Sequence, residues 1–207
     1  VLYRKQARFK LITTGKISQK NLLFEEQHIE RLRTASRYFA FPFDAEDLKQ
    51  KIEEECQDCD INQDYRLRIS LSKSGEIEVD HQVLTSLSPS FCQAKLCLQE
   101  ANLQQAFTYF KTTHRPHLSL GEQEIIYHNV KGELLETSIG NLVLKIAGKL
   151  YTPPIRLGIL PGIYRQHLLE TGQLEEKALT FADIDQAEAI YGCNAVRGLY
   201  ELILQEK

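Results

Sequence analysis

The apolar spacing changes twice within the first eighty residues. ARFKLITTGKI (7–17) is rich in aliphatic and β-branched residues and predicts a first strand ending at Gly15. HIERLRTASRYFAF (28–41) shifts to helical spacing, with Ile29, Leu32, Ala35 or Ser36 and Phe39 on one face. Pro42 ends that helix, and Asp44 offers a cap for a second one, AEDLKQKIEEEC. DYRLRISLSKSGEIEV (64–79) then alternates with period two. Tyr65, Leu67, Ile69 and Leu71 lie on one face, Arg66, Arg68, Ser70 and Ser72 on the other, and Lys73-Ser74-Gly75 turns the strand into a hairpin. Strand, two helices and antiparallel strands, in that order, predict a compact α+β unit.

A polar, mixed stretch near residues 99–120 separates this unit from a second, β-rich one. EIIYH (124–128) and LLE (134–136) flank a glycine-containing turn, and NLVLKIAGKLYTPP predicts a further hairpin with Ala147-Gly148-Lys149 at its tip. KALTFADIDQAEAIYGCN predicts a strand edge, a short acidic helix capped near Thr180 and a strand over AIYGC. The expected architecture is α+β with two α/β lobes. Residues 1–105 form a smaller N-terminal lobe, residues 106–207 a β-rich C-terminal lobe, and the connector runs around 101–115. A cleft between lobes is a common place for a site.

Composition narrows the function classes. A net charge of −3 over 207 residues gives no reason to expect nucleic acid or an acidic membrane as partner. No apolar stretch reaches the roughly 20 residues of a membrane helix, and VLYRKQARFK lacks a signal-peptide layout. The expectation is a cytoplasmic protein acting on a small molecule. Five cysteines, an odd number, argue against a disulfide framework. Cys56 and Cys59 form a C-x-x-C with no second pair at metal spacing, so they read as two thiols on an acidic, solvated helix end. His28, His114 and His117 make no convincing metal set; His28 reads as a helix-start residue. No metal site is expected.

Chemistry concentrates in the second half. GILPGIYRQHLLETG (158–172) is a proline-stiffened turn running into a helix, and a helix start suits an anion because its first N–H groups are unpaired. In FTYFKTTHRPH (107–117), Lys111 stands among aromatics with a cation nearby. That setting lowers a lysine pKa and makes the amine a nucleophile toward an aldehyde. Glu136 ends a strand in GELLETSIGN, Arg31 precedes Leu32 on the first helix, and Asn194 follows AIYGC.

HIERL, KTTHR, GELLETSIGN, GILPGIYR and CNAVRG stand in the order found in class IV aminotransferases, the fold type IV pyridoxal phosphate enzymes, and the chain resembles that family over nearly its whole length. The resemblance implies pyridoxal 5′-phosphate as cofactor, a D-amino acid aminotransferase-like two-lobed fold, a homodimer and an active site in the interlobe cleft. It makes Lys111 the Schiff-base lysine. Glu136 pairs with the pyridine nitrogen, and Arg31 binds the phosphate, helped by the amides of Ile163 and Tyr164 and by the Asn194 side chain. Tyr164 stands where many relatives have threonine, so only its amide carries over. Arg115, four residues after Lys111, is expected at a substrate carboxylate, and Thr14 near the substrate as a catalytic residue. The likeness is greatest to the lyase members, which implies conversion of 4-amino-4-deoxychorismate to 4-aminobenzoate and pyruvate for folate synthesis. The alternative is an aminotransferase of the branched-chain or D-amino acid type.

Overall fold

The computed structural model describes residues 9–99, 106–119 and 121–205. Ala7 and Arg8 of the expected first strand, and the start of the expected connector, lie outside them. The chain divides into two compact units, Val1–Thr85 with Phe110–Arg115, and Ser86–Tyr109 with Pro116–Lys207. This differs from a single cut after residue 105. Residues 110–115 return to the first unit because they hydrogen-bond to its first strand.

In the first unit, β1 (Leu11–Ser18), β2 (Asn21–Leu22), α1 (Glu25–Phe39), α2 (Ala45–Asp58), β3 (Tyr65–Leu71) and β4 (Ile77–Val83) follow in chain order. The antiparallel sheet runs β2-β1-β3-β4. Asp44 caps α2 as expected, its carboxylate accepting from the amides of Glu46 and Asp47. The core joins Leu11 and Ile17 of β1 and Leu67, Ile69 and Leu71 of β3 to Ile29 and Leu32 of α1 and Leu48 and Ile52 of α2. The period-two alternation therefore assigns the faces of β3 correctly: apolar toward the helices, arginine-bearing away from them.

Two local expectations change. Gly15 does not end β1, which continues to Ser18. It is a glycine because a Cβ there would stand 2.5 Å from His28 Nε2. His28 lies in the first turn of α1 and is wholly buried, with Nδ1 2.6 Å from Thr13 Oγ1. Burial, with Arg31 and Lys111 adding to it, holds the imidazole well below its ordinary pKa, so it is neutral in the fold. Cys56 and Cys59 are not solvated; α2 turns both into the core. Burial pushes the Cys56 thiol up to about 11, and among the described residues no His/Cys/Asp/Glu cluster suits a metal.

The second unit contains β5 (Gln93–Leu98), α3 (Ala106–Tyr109), β6 (Glu124–His128), β7 (Leu134–Thr137), β8 (Asn141–Ile146), β9 (Lys149–Thr152), α4 (Ile163–Glu170), β10 (Glu175–Glu176), α5 (Phe181–Asp185), β11 (Ala189–Asn194) and β12 (Gly198–Leu204). The sheet order is β10-β9-β8-β11-β12-β5-β6-β7, and a β7–β8 pairing at Glu136 and Asn141 brings its path back on itself. Glu124 is a fully buried carboxylate in this unit. Ser138 Oγ, the Ile139 amide (3.2 Å) and Tyr200 OH (3.1 Å) donate to it. Tyr200 stands directly opposite Gly192 across β11–β12, and a Cβ on Gly192 would come within 2.3 Å of its ring. The missing side chain makes room for the phenol that serves the buried acid. No described helix is long and apolar enough to cross a membrane.

Two outcomes are expected. Gly192→Ala costs about 1–3 kcal/mol of overpacking, a fall in Tm of roughly 2–10 °C for a chain of this size. An unchanged melting curve by scanning calorimetry would show that the Tyr200 ring moves aside freely. The His28 pKa lies below its unfolded value of 6.5, so below that pH the unfolded chain takes up a proton that the fold refuses. The His28 contribution to stability should fall as pH drops from 7 to 5. His28→Asn should flatten this slope in urea titrations; an identical slope in wild type and variant would contradict the neutral, buried imidazole.

Candidate active site

In the first unit, residues 111–113 lie along β1 as an added antiparallel strand. Ile12 N donates to Lys111 O and Thr113 N to Lys10 O, both at 2.9 Å, with Leu11 bridged to Thr112. Lys111 is therefore opposite Ile12. Leu11 and Thr112, both fully buried, belong to the helix side of the sheet, so the alternation puts Lys111 on the other face, with Ile12, Thr14 and Lys16. The Thr112 hydroxyl donates to His114 O (2.9 Å) and accepts from His114 N (3.1 Å), which fixes the turn after the lysine.

Burial lowers the Lys111 pKa well below the lysine range, and Arg31, Arg115, Arg66 and Arg68 lower it further. The side chains whose charges act on this amine are guanidinium groups, and they and burial favour its neutral form, the form that attacks a carbonyl or takes a proton. Burial and the neighbouring Arg115 bring Arg31 down to about 10, so it remains a cation at neutral pH. Thr14 is buried, on the Lys111 face, directly across from Arg68 on β3. Its neighbour Thr13 faces the other way, to His28. The structure thus collects Thr14, Arg31, Lys111 and Arg115 in one unit.

Glu136, Ile163, Tyr164 and Asn194 belong to the second unit. Glu136 is buried on β7, and its Oε2 accepts from Leu160 N at 3.3 Å. Asn141, its partner across β7–β8, donates from Nδ2 to Leu160 O at 2.8 Å. Both polar groups of one residue in the GILPG turn are thereby held by the strand pair that carries the acid. The turn leads into α4 at Ile163, and no side chain caps that helix. Its N-cap, Gly162, has no room for a Cβ, which would fall 1.9 Å from Asn141 Oδ1. Tyr164 Oη lies against Gly198, where a Cβ would be 3.3 Å away. Asn194 Oδ1 accepts from the amides of Val196 and Arg197, both at 3.0 Å, and Nδ2 donates to Ile139 O. That side chain shapes the turn after β11.

These residues fit pyridoxal 5′-phosphate. In the first unit, Lys111 is an amine of the kind its aldehyde would need and Arg31 a fork of the kind its phosphate would need. In the second unit, the uncapped start of α4 offers backbone donors that would suit a phosphate, and Glu136 a buried carboxylate that would suit a ring nitrogen. Arg66, Arg68 and His28 were not legible as site residues. The alternation marks the two arginines only as a face turned from the core, and His28 carries no signal beyond its place one turn before Arg31.

Comparison with known proteins gives the family. The model of the family described as Amino-transferase class IV matches residues 10–202. The Saccharomyces cerevisiae aminodeoxychorismate lyase is 25% identical, over 88% of this chain and 67% of its own. A Schizosaccharomyces pombe protein provisionally named as an aminodeoxychorismate lyase is 23% identical over 72% of this chain and 68% of its own. Among solved structures, a provisionally assigned amino-acid aminotransferase from Mesorhizobium loti superposes with a TM-score of 0.82 at 25% identity, covering 95% of this chain and 100% of that one. The α+β fold, the lysine with its arginines and the match over residues 10–202 lead to one assignment: the chain belongs to the class IV aminotransferase family of pyridoxal-phosphate-dependent enzymes, with pyridoxal 5′-phosphate as its cofactor.

Proposed function

We propose that this enzyme is a lyase that converts 4-amino-4-deoxychorismate to 4-aminobenzoate and pyruvate. The observation that carries the reading is the crowd of guanidinium groups around Lys111: Arg31, Arg115, Arg66 and Arg68. One of them suffices for the cofactor phosphate. The remainder suit a substrate with more than one carboxylate, and 4-amino-4-deoxychorismate carries two. The two fungal relatives named for this lyase support the same reading.

The cofactor, when bound, supplies an electron sink for charge developing on the carbon that carries the amine. Lys111, whose neutral form burial and the surrounding cations favour, takes the proton from that carbon. As the enolpyruvyl oxygen leaves the ring, a proton on Lys111 Nζ is positioned for return to the departing fragment, and the ring becomes aromatic. The Thr14 hydroxyl, on the same sheet face as Lys111, orients the substrate between the lysine and Arg68. Arg31 and the amides of Ile163 and Tyr164 are the groups that would hold the phosphate, Asn194 would add a side-chain contact, and Glu136 would keep the ring nitrogen protonated. Arg115 takes a substrate carboxylate. A second reading, an amino-acid aminotransferase, is favoured by the full-length likeness to the Mesorhizobium structure. It uses the same residues but returns the proton elsewhere and requires a keto acid.

With cofactor-loaded protein and 4-amino-4-deoxychorismate, pyruvate and 4-aminobenzoate should appear in equal amounts with no keto acid added. Lys111→Ala should abolish both products. Pyruvate measured by coupled lactate dehydrogenase decides between the readings, since turnover that begins only when a keto acid is supplied assigns an aminotransferase. Gly162→Ala should weaken cofactor affinity by roughly ten-fold or more, as the new methyl displaces Asn141 and the turn it holds. Visible-absorption titration reads this directly, and unchanged affinity would remove the start of α4 from the phosphate site.

A further inference from the structure

We propose that Arg68 determines substrate class, binding the second carboxylate of a dicarboxylate amine across Thr14 from Lys111. The inference rests on Lys111 being the amine that faces the substrate, and deepens the functional reading by naming the residue that selects its substrate.

The register of the first sheet carries it. On the face turned from the helices, the pairing Ile12↔Ser70↔Glu78 forms one row and Lys111 extends it past Ile12. The next row is Thr14, Arg68 and Asp80, and the third is Lys16, Arg66 and Gln82. Arg68 thus stands two strand spacings from the lysine, about 10 Å across the sheet and one row along. Thr14 lies between them. A lysine and an arginine so placed face a molecule lying over Thr14 from two sides.

The acids near this face are already assigned, except one. Glu78 takes an ion pair from Lys10 and a hydrogen bond from Ser70. Asp64 pairs with Lys16 at 2.9 Å. Asp80 is directly opposite Arg68, a position from which exposed ion pairs ordinarily form. Even so, among the described residues no ion pair or hydrogen bond joins Arg68 to Asp80 or to any other side chain. The charge of Arg68 reaches Lys111, more weakly than those of Arg31, Arg115 and Arg66. A partly buried cation that no side chain pairs, on the face that carries the reactive amine, is the arrangement that an anionic group of a substrate completes. Arginine suits that group because its planar fork binds both carboxylate oxygens at once. Arg66 lies a row farther along the sheet, opposite Lys16.

The test uses cofactor-loaded protein and isothermal calorimetry with two amine-free probes: chorismate, which has two carboxylates, and benzoate, which has one. Wild type should bind chorismate more tightly. Arg68→Gln should raise the chorismate Kd about ten-fold or more, while the benzoate Kd moves less than about three-fold. Arg68→Lys, which keeps the charge but loses the fork, should show the same selective loss to a smaller extent, and it carries the test if the glutamine variant does not fold. Equal losses for both probes, no loss for either, or no chorismate preference in wild type would overturn the assignment. The outcome separates from that of the lyase reading. A protein that takes up no cofactor, as seen by absorption before titration, fails both. One that takes up cofactor and releases no pyruvate, yet loses chorismate selectively in Arg68→Gln, fails only as a lyase and remains a dicarboxylate-amine enzyme.

Discussion

Two backbone hydrogen bonds, Ile12 N to Lys111 O and Thr113 N to Lys10 O, organise the first unit. They fasten a three-residue segment to a strand one hundred positions earlier and set its register. Because side chains alternate across a strand, a slip of one residue would turn Lys111 into the helix side of the sheet and present Thr112 in its place. The position of the reactive amine is therefore a consequence of backbone pairing. Closing so long a loop is entropically costly, and burial around the added segment offsets it: Thr112 is fully buried and Phe110 packs on the helix-side core.

The same parity divides the sheet by chemistry. Toward the helices it is apolar and tightly packed, and the wholly buried imidazole there, His28, is neutral, seated over Gly15 and bonded to Thr13. On the other face stand Lys111, Arg66 and Arg68, and Arg31 and Arg115 also act on the lysine. Their repulsion, added to burial, lowers the Lys111 pKa and favours its neutral form. A fold tolerates such a concentration of like charge when binding relieves it, and a phosphate with one or two carboxylates would do so. Destabilised cations and a reactive lysine are thus the same physical fact.

The second unit works by close approach. Gly162 and Gly192 both stand where a methyl would collide, in one case with Asn141 and in the other with Tyr200. The first lets the GILPG turn settle between Glu136 and Asn141; the second lets Tyr200 reach Glu124. Two buried carboxylates result, with different surroundings. Glu124 is held by three donors and serves the fold. Glu136 lies beside the turn that opens α4, where a cofactor ring nitrogen can use it.

Much of the framework was legible in the residues. Alternation over Tyr65–Leu71 assigned its faces, Asp44 announced α2, Thr180 announced α5, and the turn at Gly75 joined β3 to β4. These are local properties, repeated every two or 3.6 residues or fixed by a single cap, and need no knowledge of distant partners. The motifs around Lys111, Glu136 and Gly162 were legible only through family resemblance, because a lone lysine or glutamate has no spacing of its own. Reading Gly15 as a strand end and Cys56 and Cys59 as solvated failed for one reason. Each depends on what packs against the residue from elsewhere in the chain. The sequence by itself determined which segments are strands and helices and which sides of them are apolar. Only the tertiary structure decided that Lys111 shares a face with Thr14 and Arg68, since that follows from pairing across a hundred residues, which no local period encodes.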